Sequence, residues 1–125
     1  MKISNPTAKL GEEKASLYLK RNKFHILTRN FRKRYGEIDI VAIDTSLKEK
    51  ALVFVEVKTR RSNSFGNPLE GITLWKLKTL IKTAEYYKMT HRNLPDTMRI
   101  DAISVSLTQN NIVEKIEHIK NISGF

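Results

Sequence analysis

Three residues in the first half of the chain have the types and spacing to handle a phosphate and a divalent cation: Asp39, Glu56 and Lys58. In the stretch ALVFVEVKT (51–59), strand alternation puts Leu52, Phe54, Glu56 and Lys58 on one face and Val53, Val55 and Val57 on the other. A carboxylate and an ammonium therefore sit two residues apart at the end of a hydrophobic strand. Burying either group alone is costly, so each needs a partner. A metal ion on Glu56 and an anionic substrate on Lys58 would supply those partners; a simple ion pair at a solvated strand end is the competing reading. In GEIDIVAID (36–44), Asp39 shares a face with Glu37, Val41 and Ile43, while Ile38, Ile40 and Ala42 share the other. Aspartate is a poor strand former, and its place between two isoleucines needs a local reason. A hairpin pairing of the two strands would bring Asp39 near Glu56, where two carboxylates repel unless protonated or bridged by a cation. The chain has no cysteine, which excludes disulfides and thiolate metal sites. The natural bridge for oxygen ligands is Mg²⁺ or Mn²⁺.

The elements that must hold these groups are readable along the chain. Asn5-Pro6-Thr7 starts a helix, with Asn5 or Thr7 as its cap, over about 8–22. Gly11, Ala15, Tyr18 and Leu19 share its buried face. Glu12 lies within about 40° of Leu19 and Ala8, at the border of that face, and is a third candidate acid; Glu13 turns further toward solvent. Strands are expected over 24–30, 37–44 and 51–59, the last apolar on both faces and so central. A polar loop over 60–66 precedes a helix over 73–88 with the stripe Leu77, Leu80, Ile81 and Ala84. A strand over 98–107 follows, and an edge strand over about 112–122 closes the chain. The expected class is α/β: an αβββαβ core over about 8–107, with a central mixed sheet flanked by helices in a single domain spanning residues 1–125.

Bulk composition narrows the function classes. Lys and Arg number 23 against 13 Asp and Glu, a net charge of +10, which points to a polyanionic partner, most often nucleic acid. No stretch approaches the roughly 18 apolar residues of a membrane span, and Met1 to Leu10 resembles no export signal. A cytoplasmic protein that works away from membranes is expected. The five glycines are isolated, so there is no glycine-rich phosphate loop, and no Ser-His-Asp order points to acyl hydrolysis. His25, His91 and His118 share no ligand spacing and are expected to have no metal or acid/base role.

GEEKA (11–15), then the run from Tyr18 through RYGEIDIVA, then LVFVEVKTRRSNSFGNP (52–68), resemble the YraN family of bacterial proteins over about 11–107. That family is similar to the PD-(D/E)xK restriction-endonuclease-like superfamily and to archaeal Holliday-junction resolvases. The resemblance implies a restriction-endonuclease-like fold. It implies a divalent-metal-dependent endonuclease that hydrolyses DNA phosphodiester bonds at branched or junction structures, as a homodimer. It assigns Asp39, Glu56 and Glu12 as metal-binding acids, with the Val57 backbone carbonyl beside them, and Lys58 as the motif lysine. Ile38 stands where the superfamily motif often has proline. Arg29, Arg32, Lys33 and Arg34 precede the acidic hairpin and Arg60 and Arg61 follow Lys58, a set expected to cradle phosphates. Lys76 matches a family helix lysine and is expected to contact DNA. Trp75 is expected in the core, Phe65 in a loop packed on its own domain, and Asp101 in a structural role at the fourth strand's end. The alternative function is a nucleic-acid-binding module of the same fold that does not cut.

Overall fold

Asn5 and Thr73 set where the two helices begin. In the computed structural model, which describes residues 5–61 and 66–123, the Asn5 side chain accepts from the Thr7 and Ala8 N–H groups ahead of α1 (Pro6–Arg21). Thr73 Oγ1 accepts from the Lys76 N–H at 3.0 Å ahead of α2 (Leu74–Thr90). Each cap satisfies amide groups that the first helical turn leaves without partners. Between the helices run β1 (Phe24–Lys33), β2 (Gly36–Asp44) and β3 (Ala51–Arg61); β4 (Met98–Leu107) and β5 (Val113–Ile119) follow α2.

The five strands form one sheet in the order β1-β2-β3-β4-β5. Every neighbouring pair is antiparallel except β3 and β4, which are parallel. A parallel neighbour demands a crossover, and α2 is that crossover. The α/β class, the element order and the closing edge strand agree with the sequence reading. The polar loop is shorter at its start than expected, because β3 continues to Arg61, where Arg60 and Arg61 pair with Ser106 and Leu107.

The two faces of β3 carry two separate cores. Ala51, Val53 and Val55 pack with Ala15 and Leu19 of α1, and with Ile103, Val105 and Leu107. Leu52 and Phe54 pack with Leu80, Ala84 and Tyr87 of α2. β2 follows the same alternation from Ile40 onward, with Ile40 and Ala42 toward α1 and Val41 toward α2. Ile38 departs from it: expected beside Ile40, it lies in the α2 core. The cause is local, since pairing between β2 and β3 stops at Ile40 opposite Val55. Beyond that point β2 follows β1 alone, with Ile38 opposite Phe31.

Candidate active site

Where the β2–β3 ladder ends, a side chain takes over from the backbone. Asp39 Oδ2 accepts the Val57 N–H at 2.8 Å, which is the local reason for an aspartate inside a strand. In an extended strand a residue's N–H and C=O point to the same side, so the Val57 carbonyl faces the same gap. The Glu56 carboxyl hydrogen-bonds Asp39. Both acids are almost fully buried, Asp39 at 2% exposure and Glu56 at 6%.

Burial is the largest influence on Glu56, followed by the hydrogen bond and charge of Asp39. Together they outweigh Lys76 and push its carboxyl up to about 8. Glu56 therefore keeps a proton at neutral pH and donates it to Asp39. One proton between two carboxyls marks a place where a cation would relieve the same repulsion. In this respect the donor set fits a hard divalent ion: two carboxylates and a backbone carbonyl, all oxygen.

Glu56, with Asp39 behind it, opens onto a cavity of about 500 Å³ between the N-terminal ends of α1 and α2. Glu12, buried at 6%, lines it from α1; Lys58 from β3; Lys76 and Trp75 from α2. Lys76 Nζ lies 3.3 Å from Glu56 Oε2, so this lysine belongs to the acidic site itself. Among the described residues, no three Asp, Glu or His side chains gather closely enough to hold an ion. The assembled acids are thus the pair Asp39–Glu56, with Glu12 on the wall of the same cavity.

Two glycines shape this cavity. A β-carbon on Gly11 would collide with the Thr59 side chain, so its absence lets α1 sit hard against β3 one residue from Glu12. Gly71 has φ +90°, and a β-carbon there would come within 2.6 Å of Lys58 Nζ. Glycine at 71 both permits the backbone turn and leaves room for the ammonium.

The remaining basic residues divide into two groups. Arg29 pairs with Glu13 at 2.9 Å and Arg32 with Glu37 at 3.0 Å. Arg60 donates to the Asn67 carbonyl at 2.7 Å, which ties down the segment leading to α2. Arg61 donates to the Thr108 carbonyl, Asn111 Oδ1 and Thr7 Oγ1, and so joins the start of α1 to the β4–β5 turn. Lys33 and Arg34 are exposed at the β1–β2 turn. Phe65 lies outside the described residues.

Trp75 is not in the core: it is 73% exposed at the cavity mouth. At the second position of α2 it precedes the buried stripe, which begins in earnest at Leu80. Asp101 is structural, as expected, and fully buried. His118 is its partner, with Nε2 2.7 Å from Asp101 Oδ2, a contact created by β4–β5 pairing that no spacing in the sequence could announce. The site contributions of Gly11 and Gly71 were likewise unannounced, since an isolated glycine does not name the atom that crowds it.

Residues 11–105 match the Uncharacterised protein family UPF0102. The chain belongs to UPF0102. This is the YraN family recognised in the motif residues. The UPF0102 protein of Caldicellulosiruptor saccharolyticus is 43% identical over 111 residues, covering 89% of this chain and 91% of that protein. The UPF0102 protein of Syntrophomonas wolfei is 44% identical over 112 residues, with coverages of 89% and 91%. That of Geobacter metallireducens is 43% identical over 111 residues, with coverages of 89% and 86%. The UPF0102 span contains every residue of the Asp39–Glu56 pair, Glu12, Lys58 and Lys76, and leaves β5 outside. Among the described residues, no helix is long and apolar enough to cross a membrane.

Proposed function

We propose that this protein is a divalent-metal-dependent endonuclease that hydrolyses DNA phosphodiester bonds. The observation that carries the reading is the meeting of Asp39 and Glu56, from neighbouring strands, in hydrogen-bond contact, with Glu56 lining a cavity that two lysines also line. Asp39, Glu56 and the Val57 carbonyl would hold Mg²⁺ or Mn²⁺, with Glu12 on the wall of the same cavity. When bound, the ion would polarise a phosphate oxygen and lower the pKa of water. The protein's own groups account for the rest. The Val57 N–H fixes the Asp39 carboxylate in place. Glu56 would supply the second carboxylate, its proton passing to solvent water. Lys58 faces the substrate phosphate and offsets charge developing on it, and Lys76 exchanges Glu56 for a phosphate oxygen. Lys33 and Arg34 supply backbone contacts away from the cut, with Arg29, Arg32, Arg60 and Arg61 exchanging or sharing their present partners. Action at branched or junction DNA, and assembly as a homodimer, rest on the resemblance to junction resolvases.

A non-cutting nucleic-acid-binding module is the second reading, favoured by one observation: a cation, Lys76 Nζ, already stands 3.3 Å from Glu56 Oε2. Linear, single-stranded and four-way-junction DNA, each incubated with Mn²⁺, Mg²⁺ or EDTA, separates the two. Metal-dependent cutting that disappears in Asp39→Asn supports the enzyme. Tight binding without cutting under either metal sinks it in favour of the module.

A further inference from the structure

The exposed face of α2, with the β1–β2 turn packed beside it, sets two lysines between two exposed aromatic rings, Trp75 and Tyr35. Trp75, at the cavity mouth, is followed by exposed Lys78 and Lys82 on successive turns. Lys82 Nζ stands 5.7 Å from the ring centre of Tyr35, which is 50% exposed at the β1–β2 turn. The neighbouring Gly36 packs near Thr79 and Thr83, which brings the turn against the helix. From Trp75 to Lys82 is seven residues of helix, or about 10 Å. Glu85 ends the basic run on this face.

We propose that this face is a stacking track for an unpaired DNA strand that enters the cavity beside Trp75, so that the substrate carries a single-stranded segment. The inference rests on the nuclease reading and names its substrate class. Three features favour this occupant. Stacked bases inside an uninterrupted duplex present no free ring face, whereas an unpaired base can lie on an exposed indole. Lysines between the rings match phosphates between bases. A second copy of a chain with net charge +10 would be repelled from a lysine-lined face.

Trp75 is the single tryptophan of the chain, so its emission reports this position alone. The intact protein is titrated in EDTA, where no cutting intervenes, with short oligothymidylate, with blunt duplex DNA and with oligouridylate. The expected result is quenching by oligothymidylate, with the duplex binding through charge but leaving the emission unchanged. Trp75→Ala, read by the anisotropy of an end-labelled oligothymidylate because the variants lack the reporting indole, should weaken binding roughly ten- to hundredfold, and Trp75→Phe should restore most of it. Equal affinity in Trp75→Ala overturns the proposal, as does quenching by the duplex as strong as by the single strand. Tighter capture of oligouridylate overturns the assignment to DNA. An emission change on concentrating the protein alone, or on adding anionic vesicles, would give the face to a second copy or a lipid surface instead. Cutting assays then separate the two readings. Stacking without metal-dependent cutting removes the nuclease and keeps the track; normal cutting of single-stranded DNA by Trp75→Ala does the reverse.

Discussion

Glu56, held near 8 by burial first and by Asp39 second, ties the stability of this protein to pH in the direction opposite to most carboxylates. In the unfolded chain the same group ionises near the ordinary value of 4.5. Between those two values the folded state keeps a proton that the unfolded state has lost, so rising pH favours unfolding. The loss is about 1.4 kcal/mol per pH unit at most and levels off above about 8. Denaturant melts in EDTA at intervals from pH 5 to 8 should show this decline. Glu56→Gln, which cannot ionise, should remove it, and Mn²⁺ should flatten it in the parent protein. Stability that rises through this window in EDTA would contradict the shared-proton geometry. For catalysis, Asp39→Asn keeps the shape but loses the charge, and cutting should fall about a hundredfold or more. A single-turnover cleavage assay reads that loss directly.

At the scale of elements, the site depends on how closely α1 approaches β3. Gly11 sits against Thr59, and any side chain at 11 must displace one of them. Replacing glycine inside a helix normally gains up to about 1 kcal/mol in propensity. Overpacking a tight contact costs about 1–3 kcal/mol, so the clash should win. Gly11→Val is therefore expected to destabilise the protein by about that amount, measurable as a lower denaturation midpoint. Cutting should fall in the fraction that stays folded, because Glu12 moves with its helix. A stabilised Gly11→Val variant would mean that the helix rides further from the strand than the contact implies.

On the scale of the whole molecule, one buried polar network runs through elements that the apolar core on the α1 face already joins. Arg99 of β4 bonds Asp101 at 2.8 Å and Asp44 of β2 at 2.9 Å. His118 of β5 bonds Asp101 through Nε2, and its Nδ1 stands 3.0 Å from the Tyr18 hydroxyl of α1. Burial pushes the Asp101 carboxyl up, but bonds from His118, Arg99 and the Asn121 N–H hold it below its ordinary value. Removing that charge leaves a buried guanidinium short of a partner. Asp101→Asn should cost about 3–5 kcal/mol, seen in equilibrium unfolding, while the Asp39–Glu56 pair is untouched. The lowered carboxylates also make stability fall in acid, as pH drops below their unfolded values. Away from the core, the net charge of +10 predicts that DNA affinity falls steeply with added salt. A titration at two ionic strengths checks it, and an affinity indifferent to salt would argue against backbone contacts.

The amino-acid order alone determined the strands, the helices and the facing of Glu56 and Lys58, because alternation in ALVFVEVKT and the helix-start signal Asn5-Pro6-Thr7 are local patterns. It also determined that Asp39 needed a partner, since an acid between two isoleucines has no other excuse. Which partner was a tertiary matter: the ladder between β2 and β3 stops at Ile40, and only then can Asp39 reach Val57 and Glu56. Lys76 on the acid, Trp75 at the cavity mouth and Gly11 under Thr59 were decided the same way. Each depends on a contact between segments far apart in the chain, and spacing along one segment carries no record of what folds against it.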